Sequence, residues 1–204
     1  IIILILTSNC WGQDITFRHL TTDEGLSQTS VVAIYQDENG LIWIGTREGL
    51  NCYNGNSIKT YKLEKNNPNS LFCNNVLRIT GNKNGKIYLL CTEGLCEYDI
   101  KNDKFTTLWR DVDITAIHYE DRLYVGKGSS IYTYNAVTKK FDAYYHLPQK
   151  LHITSMIIDN EEKLYIGTAS NGLYVLENKT ELKHLIDKNC NISSIYIDSE
   201  SNIW

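Results

Sequence analysis

Few residues in this 204-residue chain have both the type and the spacing for chemistry. Asp37-Glu38-Asn39-Gly40 sets acidic and amide oxygens ahead of a glycine, as the start of a calcium loop does. No further ligands or bidentate Glu follow at the needed distance, and the partner turns carry Asn82 or Asn160 in place of Asp37, so a hairpin turn accounts for it better. Gly126-Lys127-Gly128-Ser129-Ser130 has the composition of a phosphate loop but lacks the four-residue spacing before Gly-Lys and the helix that should follow. The five histidines, His19, His118, His146, His152 and His184, show no metal-ligand spacing with a second His, Cys or Glu. Neither a nucleophile elbow nor a cofactor motif is present, so no catalytic residue, metal ligand or cofactor is assigned. Glu48 and Glu93 occupy comparable turns and would be the acids of a glycoside hydrolase only if they converged at a catalytic separation.

The elements that carry these residues recur. Gly40-Leu41-Ile42-Trp43-Ile44-Gly45-Thr46 with Gly49-Leu50 returns as Gly85-Lys86-Ile87-Tyr88-Leu89-Leu90 with Gly94-Leu95. It returns again as Leu123-Tyr124-Val125-Gly126 with Ile131, then as Leu164-Tyr165-Ile166-Gly167-Thr168 with Gly172-Leu173, and a fifth copy stops at Trp204. The spacing of Trp43, Tyr88, Tyr124, Tyr165 and Trp204 varies about a period of roughly forty residues, that of β-propeller blades. Each copy reads as four strands: an alternating apolar strand such as Val31-Val32-Ala33-Ile34-Tyr35, a polar Asn/Gly turn, the aromatic strand, a Gly turn, and two further strands. Pro68 and Pro148 fall between units, where no ladder donor is lost. The aromatic position occurs in every unit, so it serves packing between units rather than sugar stacking, as do Gly45, Gly49, Gly94, Gly126, Gly167 and Gly172.

The expected fold is therefore all-β, an incomplete propeller arc of about four and a half four-stranded blades. The units span about residues 27–63, 71–110, 112–147 and 151–187, with a fifth starting at 190–204 inside a propeller region of 13–204. Residues 16–20, Thr-Phe-Arg-His-Leu, match the fourth strands and read as an orphan outer strand of a closing blade. An open arc leaves an exposed edge at each end, an aggregation hazard. Residues 1–12, an apolar run ending at Gly12 before Gln13-Asp14, read as the remnant of a secretory signal peptide, with a buried strand as the lesser alternative and a lipid anchor at Cys10 disfavoured by Asn9. Cys91 and Cys96 flank a turn, but spacing alone does not supply disulfide geometry, and small buried residues are the preferred reading. The net charge of −4 and the lack of a basic run exclude a nucleic-acid-binding field.

Binding resides in loops on a rigid scaffold. The turns after the second strands and the connections after the fourth strands share one propeller face, which makes Arg47, Glu48, Glu93 and Lys127 the candidate ligand-binding residues, suited to a ligand rich in hydroxyls or carboxylates.

The stretch Phe17-Arg18-His19-Leu20-Thr21-Thr22-Asp23-Glu24-Gly25-Leu26-Ser27-Gln28, with the segment from Val31 to Asn51, resembles the opening of the two-component regulator propeller family. The later copies match with losses: Leu90 stands for the glycine of Gly45, Ser130 for that of Gly49, and the third unit shortens its first hairpin to Tyr119-Glu120-Asp121-Arg122. The resemblance implies the periplasmic sensor region of a hybrid histidine kinase anchored in the inner membrane. It further implies an oligosaccharide or other small-molecule ligand, further blades and domains of a parent chain, and a homodimeric full-length receptor. An exported polysaccharide-degrading propeller enzyme and an envelope protein-interaction scaffold are the alternatives.

Overall fold

The computed structural model describes residues 17, 19–82, 84–148, 151–186 and 189–204. Among the described residues, sixteen strands form four separate four-stranded antiparallel sheets. Blade 1 comprises β1 (Val31–Gln36), β2 (Ile42–Thr46), β3 (Gly49–Tyr53) and β4 (Ile58–Tyr61). Blade 2 comprises β5 (Val76–Gly81), β6 (Lys86–Cys91), β7 (Gly94–Asp99) and β8 (Lys104–Trp109). Blade 3 comprises β9 (Ile114–Tyr119), β10 (Leu123–Lys127), β11 (Ser130–Asn135) and β12 (Lys140–His146). Blade 4 comprises β13 (Ile153–Ile158), β14 (Leu164–Thr168), β15 (Leu173–Glu177) and β16 (Glu181–Ile186). Within each blade, strands pair in chain order, the all-β propeller that the period predicts. A fifth unit begins as an isolated antiparallel bridge between Ile197 and Ile203.

The cores lie between blades. Trp43 and Leu50 of blade 1 pack with Val76, Ile87 and Leu89 of blade 2. Tyr88, Leu90 and Leu95 meet Ile114, Leu123 and Val125 of blade 3, and Ala116, Tyr124 and Ile131 meet Ile153, Leu164 and Ile166 of blade 4. Tyr165, Leu173 and Val175 contact Ile192, Ile195 and Ile197 of the fifth unit. Adjacent blades touch chiefly through their first strands, the arrangement that places those strands around the channel. Each first strand is bulged near its start, at the step from Val31 to Ala33, from Val76 to Arg78 and from Ile153 to Ser155, and opposite the Gly126-to-Lys127 step in blade 3.

The recurring second-strand glycine has a steric cause. A Cβ on Gly45 would sit 2.8 Å from Val76 Cγ1 of the next blade, and one on Gly167 would sit 2.6 Å from Ile192 Cγ2. Bare backbone lets the next blade's first apolar residue close the gap. The turn glycine Gly94 is required differently: its φ is +135° and a Cβ would lie 2.1 Å from the Trp109 carbonyl oxygen.

The first hairpin turns are organised from within. Asp37 Oδ1 accepts from the amides of Asn39 (2.9 Å) and Leu41 (3.0 Å), and Oδ2 accepts from Trp43 Nε1 at 2.9 Å. Asp159 repeats this with Glu161, Lys163 and the Tyr165 hydroxyl, and Asp198 with Glu200, Asn202 and Trp204 Nε1. Asn82 keeps only the two amide bonds. The residue equivalent to Asp37 in blade 4 is thus Asp159 rather than Asn160, and the acidic turn is a device that fixes the aromatic strand. Trp43, Tyr88, Tyr124 and Tyr165 are buried, whereas Trp204, with no completed blade around it, is exposed.

Of the N-terminal expectations, the signal-peptide remnant at 1–12 lies outside the described residues, as do Thr16 and Arg18 of the orphan strand. Phe17, His19 and Leu20 are in no strand here. Cys91 lies opposite Gly94 and Cys96 opposite Leu89, so the two are diagonal neighbours across the hairpin. All five described cysteines are free thiols.

Candidate ligand-binding site

Turns and connectors meet on one face of the arc, as the bonds between them show. The Leu147 amide donates to the Ser129 carbonyl, the Ile153 amide to the Gly128 carbonyl and the Thr92 amide to the Asn75 carbonyl. On this face lie Arg47, Glu48, Glu93 and Lys127, each on or beside the turn between a second and a third strand. The structure does not gather them into one site. Arg47 and Glu48 project from blade 1, exposed, and their side chains form no hydrogen bond or ion pair among the described residues. Glu93 is 3.5 Å from Arg110 of the connector to blade 3, whose guanidinium lies 4.7 Å from the Phe72 ring centroid. With Glu93 engaged by Arg110, none of the cavities described below contains both Glu48 and Glu93, the pair a hydrolase would need.

Lys127 does line a cavity. A cleft of about 570 Å³ between blades 3 and 4 is bounded by Asp113 and Thr115, by Lys127 and Ser130 at the turn, and by Tyr132 and His152. Lys127 Nζ is bonded to Asp111 and sits 5.4 Å from the Trp109 ring, which meets Tyr132 edge-on at 5.3 Å. The hydrogen bond with Asp111 raises the Lys127 pKa and lowers that of Asp111, so both groups stay charged across the neutral range. Ser130 Oγ is 2.9 Å from His146 Nδ1. Hydroxyls, an imidazole, an ion pair and a tyrosine edge in one cleft can bind a polar ligand by hydrogen bonds and ring contact.

Sequence reasoning missed Trp109, because it ends a fourth strand and lies outside the repeated aromatic position. It also missed a cleft of about 560 Å³ lined by Asp121, Arg122, Tyr124, Tyr144, Asp159 and Lys179. The signal available there was the pair of acidic runs Glu120-Asp121 and Glu161-Glu162 in the first hairpins of adjacent blades.

The histidines are dispersed, as their spacing predicts. His184 stacks on Tyr174 with centroids 4.4 Å apart. His118 Nε2 receives the Ile158 amide at 3.3 Å across the blade boundary, and burial lowers its pKa to about 4. The carboxylate of Glu120 lies 3.9 Å from the same nitrogen, but it is largely exposed and solvent-screened, so desolvation governs. Among the described residues no group of His, Cys, Asp and Glu is arranged to hold a metal ion, and no helix is long and apolar enough to cross a membrane.

The segment Gly25-Leu26-Ser27 is tied to blade 1 by a compact polar network. Asn51 Oδ1 accepts from the Ser27 amide at 2.8 Å, Asn51 Nδ2 donates to Ser27 Oγ at 2.9 Å and to the Ile44 carbonyl at 3.1 Å, and Ser27 Oγ shares a 2.7 Å bond with Thr46 Oγ1. Thr46 Oγ1 in turn donates to the Gly49 carbonyl and accepts from the Glu48 amide. Leu26 is buried beside them. The network holds the turn that carries Arg47 and Glu48.

This same stretch, residues 25–48, matches the family model described as two-component regulator propeller. The chain is 40% identical over 65 residues to histidine kinase P4 of Formosa agariphila, a match covering 32% of this chain and 4% of the kinase. It is similar to the crystal structure of the extracellular domain of the putative hybrid two-component system BT3049 of B. thetaiotaomicron, with a TM-score of 0.77 and 26% identity over 92% of this chain and 28% of that one. The extracellular domain of BT4673 from the same organism matches with a TM-score of 0.70 and 26% identity over 86% of this chain and 26% of that one. The chain thus spans little more than a quarter of these two extracellular domains and a small fraction of the kinase. With the opening network, the bladed sheets and these likenesses in agreement, the chain carries a two-component regulator propeller repeat at residues 25–48 and is similar in fold to the extracellular domains of two-component systems.

Proposed function

We propose that this chain is part of the periplasmic, ligand-sensing propeller of a hybrid two-component sensor, and that the sensor responds to oligosaccharides or related products of polysaccharide breakdown. The observation that carries the sensor reading is the likeness to the BT3049 extracellular domain along 92% of the chain. The saccharide reading is supported by the chemistry of the cleft at Lys127, where hydroxyls, a charged pair and aromatic edges stand together. Arg47, Glu48 and Glu93 contribute to the same face as rim residues. Further blades and domains of a longer protein would complete the ring, and a homodimeric receptor would carry the signal. Ligand binding signals only if it favours one receptor arrangement over another, because equal affinity for both shifts nothing.

The test is transcriptional. Cells carrying the full-length protein are grown on individual purified polysaccharides while transcription dependent on the receptor is followed, and the complete extracellular region is assayed for binding the active oligosaccharide. One inducing glycan whose oligosaccharide also binds the purified region is the expected result. Induction that persists when the propeller is deleted removes the sensor reading. Hydrolysis of the glycan by the purified region favours the enzyme alternative, and capture of an envelope protein with no saccharide response favours the scaffold.

A further inference from the structure

The blade repeat singles out one position on the channel side. In three blades the first-strand residue just past the bulge is small and faces a glycine of the second strand: Ala33 opposite Gly45, Ala116 opposite Gly126 and Ser155 opposite Gly167. In blade 2 the same pair is Arg78 opposite Leu90. Both members depart together, and only there. A residue present in every blade serves the repeat, so a charge introduced in one blade alone needs another reason.

Leu90 explains how the departure is accommodated. It is 1% exposed and packs with Ile114 and Val125, filling the layer toward blade 3 that glycine leaves thin elsewhere. Arg78 is half-buried and lines a cavity of about 120 Å³ against the first strands of blades 3 and 4 and the start of the fifth unit. Its neighbours there include Thr154, Ser155, Ser193 and Ser194, and among the described residues Arg78 is the sole charged side chain in the lining. Among the described residues the guanidinium donates only to the adjacent Leu77 carbonyl, at 2.9 Å, and has no ion-pair partner. Ser155 also lines the cavity, and its hydroxyl, buried against Gly167 of the second strand, has no hydrogen-bond partner among the described residues. A partly desolvated guanidinium among hydroxyls is a receptor for an oxyanion, because its planar fork matches two oxygens of one group.

We propose that this channel pocket binds an oxyanion, a carboxylate or sulfate carried by a saccharide, with Arg78 as the charged anchor and Ser193 and Ser194 supplying further donors. The nature of the carrier molecule rests on the saccharide-sensor reading above; the oxyanion rests on Arg78. The cavity has room for the charged group and part of one sugar ring, which makes Arg78 a selector of acidic over neutral sugars.

The experiment measures binding of D-glucuronate, D-glucose 6-sulfate and D-glucose to the complete extracellular region by calorimetry at fixed ionic strength. Binding of at least one anion, tenfold or more tighter than glucose, is expected, and the preferred anion identifies carboxylate or sulfate as the recognised group. Arg78→Ala should weaken that anion at least tenfold, with an unchanged thermal unfolding profile as the folding control. Arg78→Lys should recover part of the affinity through charge without the fork. Equal affinity for glucose and the anions, no binding of either anion, or undiminished binding by Arg78→Ala each overturns the proposal. A receptor that still answers a neutral oligosaccharide in cells, unaffected by Arg78→Ala, removes the oxyanion site and leaves the sensor standing. Loss of every saccharide response removes the sensor reading itself.

Discussion

The Asp37 carboxylate serves two backbone amides and the Trp43 indole while itself 5% exposed, so its removal strands three donors in a place water reaches poorly. Hydrogen bonds to a charged acceptor are worth about 1.5–3 kcal/mol each, but part of that returns as the turn relaxes toward solvent, so Asp37→Ala should cost about 3 kcal/mol in urea unfolding. Asp37→Asn should cost less, because Asn82 already holds the equivalent amides with one carbonyl oxygen and loses only the aromatic donor. A destabilisation by Asp37→Ala no larger than that of Asp198→Ala, which loses the same three bonds at the exposed copy of the turn, would show that burial adds nothing to their strength. His118 gives a second residue-scale expectation, in pH. Burial lowers its folded pKa to about 4 from the ordinary 6.5, so between those values the unfolded chain binds a proton that the folded chain does not. Stability from this site is therefore complete above pH 6.5 and falls as pH drops toward 4. At about 1.4 kcal/mol for each tenfold difference in proton affinity, the loss reaches roughly 3 kcal/mol. Unfolding free energy measured from pH 7 to 4 should fall more steeply for the native sequence than for His118→Gln, and parallel curves would exclude the assignment.

Blades are held to one another by contacts that a one-dimensional pattern does not display. A methyl group on Gly45 would sit 2.8 Å from Val76 Cγ1, across the boundary from blade 1 to blade 2. Gly45→Ala should thus cost about 1–3 kcal/mol by overpacking, and Val76→Ala in the same chain should recover part of that cost. Strictly additive losses in the double-mutant cycle would place the strain elsewhere. The same distinction explains what is legible in the sequence. Alternation along Val31 to Tyr35, the Asn-Gly turns and the forty-residue period are local signals, and they lead directly to strands, hairpins and blades. The bond from Asp37 to Trp43 hides behind variation at both ends, with Asn82 and Tyr88 in blade 2 and a shortened turn at Asp121 in blade 3. Arg78 opposite Leu90 is visible only once strand register is known, because the bulge shifts the pairing by one residue. The repeat places Glu93 and Lys127 on the turns between second and third strands, but their partners Arg110 and Asp111 come from the connector after the fourth strand of blade 2, which the repeat does not pair with them.

At the scale of the whole molecule, the arc has two unequal ends. On the first blade, Val31, Val32 and Ile34 of the inner strand are exposed, Ile34 to 68%, because no blade precedes them among the described residues. At the other end Leu185, Ile186, Tyr196, Ile203 and Trp204 are exposed around the unfinished fifth unit. Everywhere between, equivalent positions are covered by a neighbouring blade, as Ile79 and Ile117 are. Apolar faces flanked by unpaired strand edges associate in water, and a net charge of −4 over 204 residues supplies little repulsion to oppose it. The isolated chain should therefore self-associate in sedimentation velocity as its concentration rises through the micromolar range, with the end faces as the contact. Placing a charge on each face, Ile34→Lys with Leu185→Lys, should shift the distribution toward monomer, since burying either ammonium in the contact would strand a charge away from water. A control pair on the turn rim, Glu48→Lys with Glu93→Lys, changes charge more but touches neither face and should leave the association in place. If the control pair disperses the chain as well as the face pair does, general charge rather than the open ends governs association. If the native sequence stays monomeric throughout, the end faces are not adhesive surfaces. Dispersal by the face pair alone would make blade-on-blade burial, rather than strand pairing within a blade, the interaction that the arc lacks at its ends.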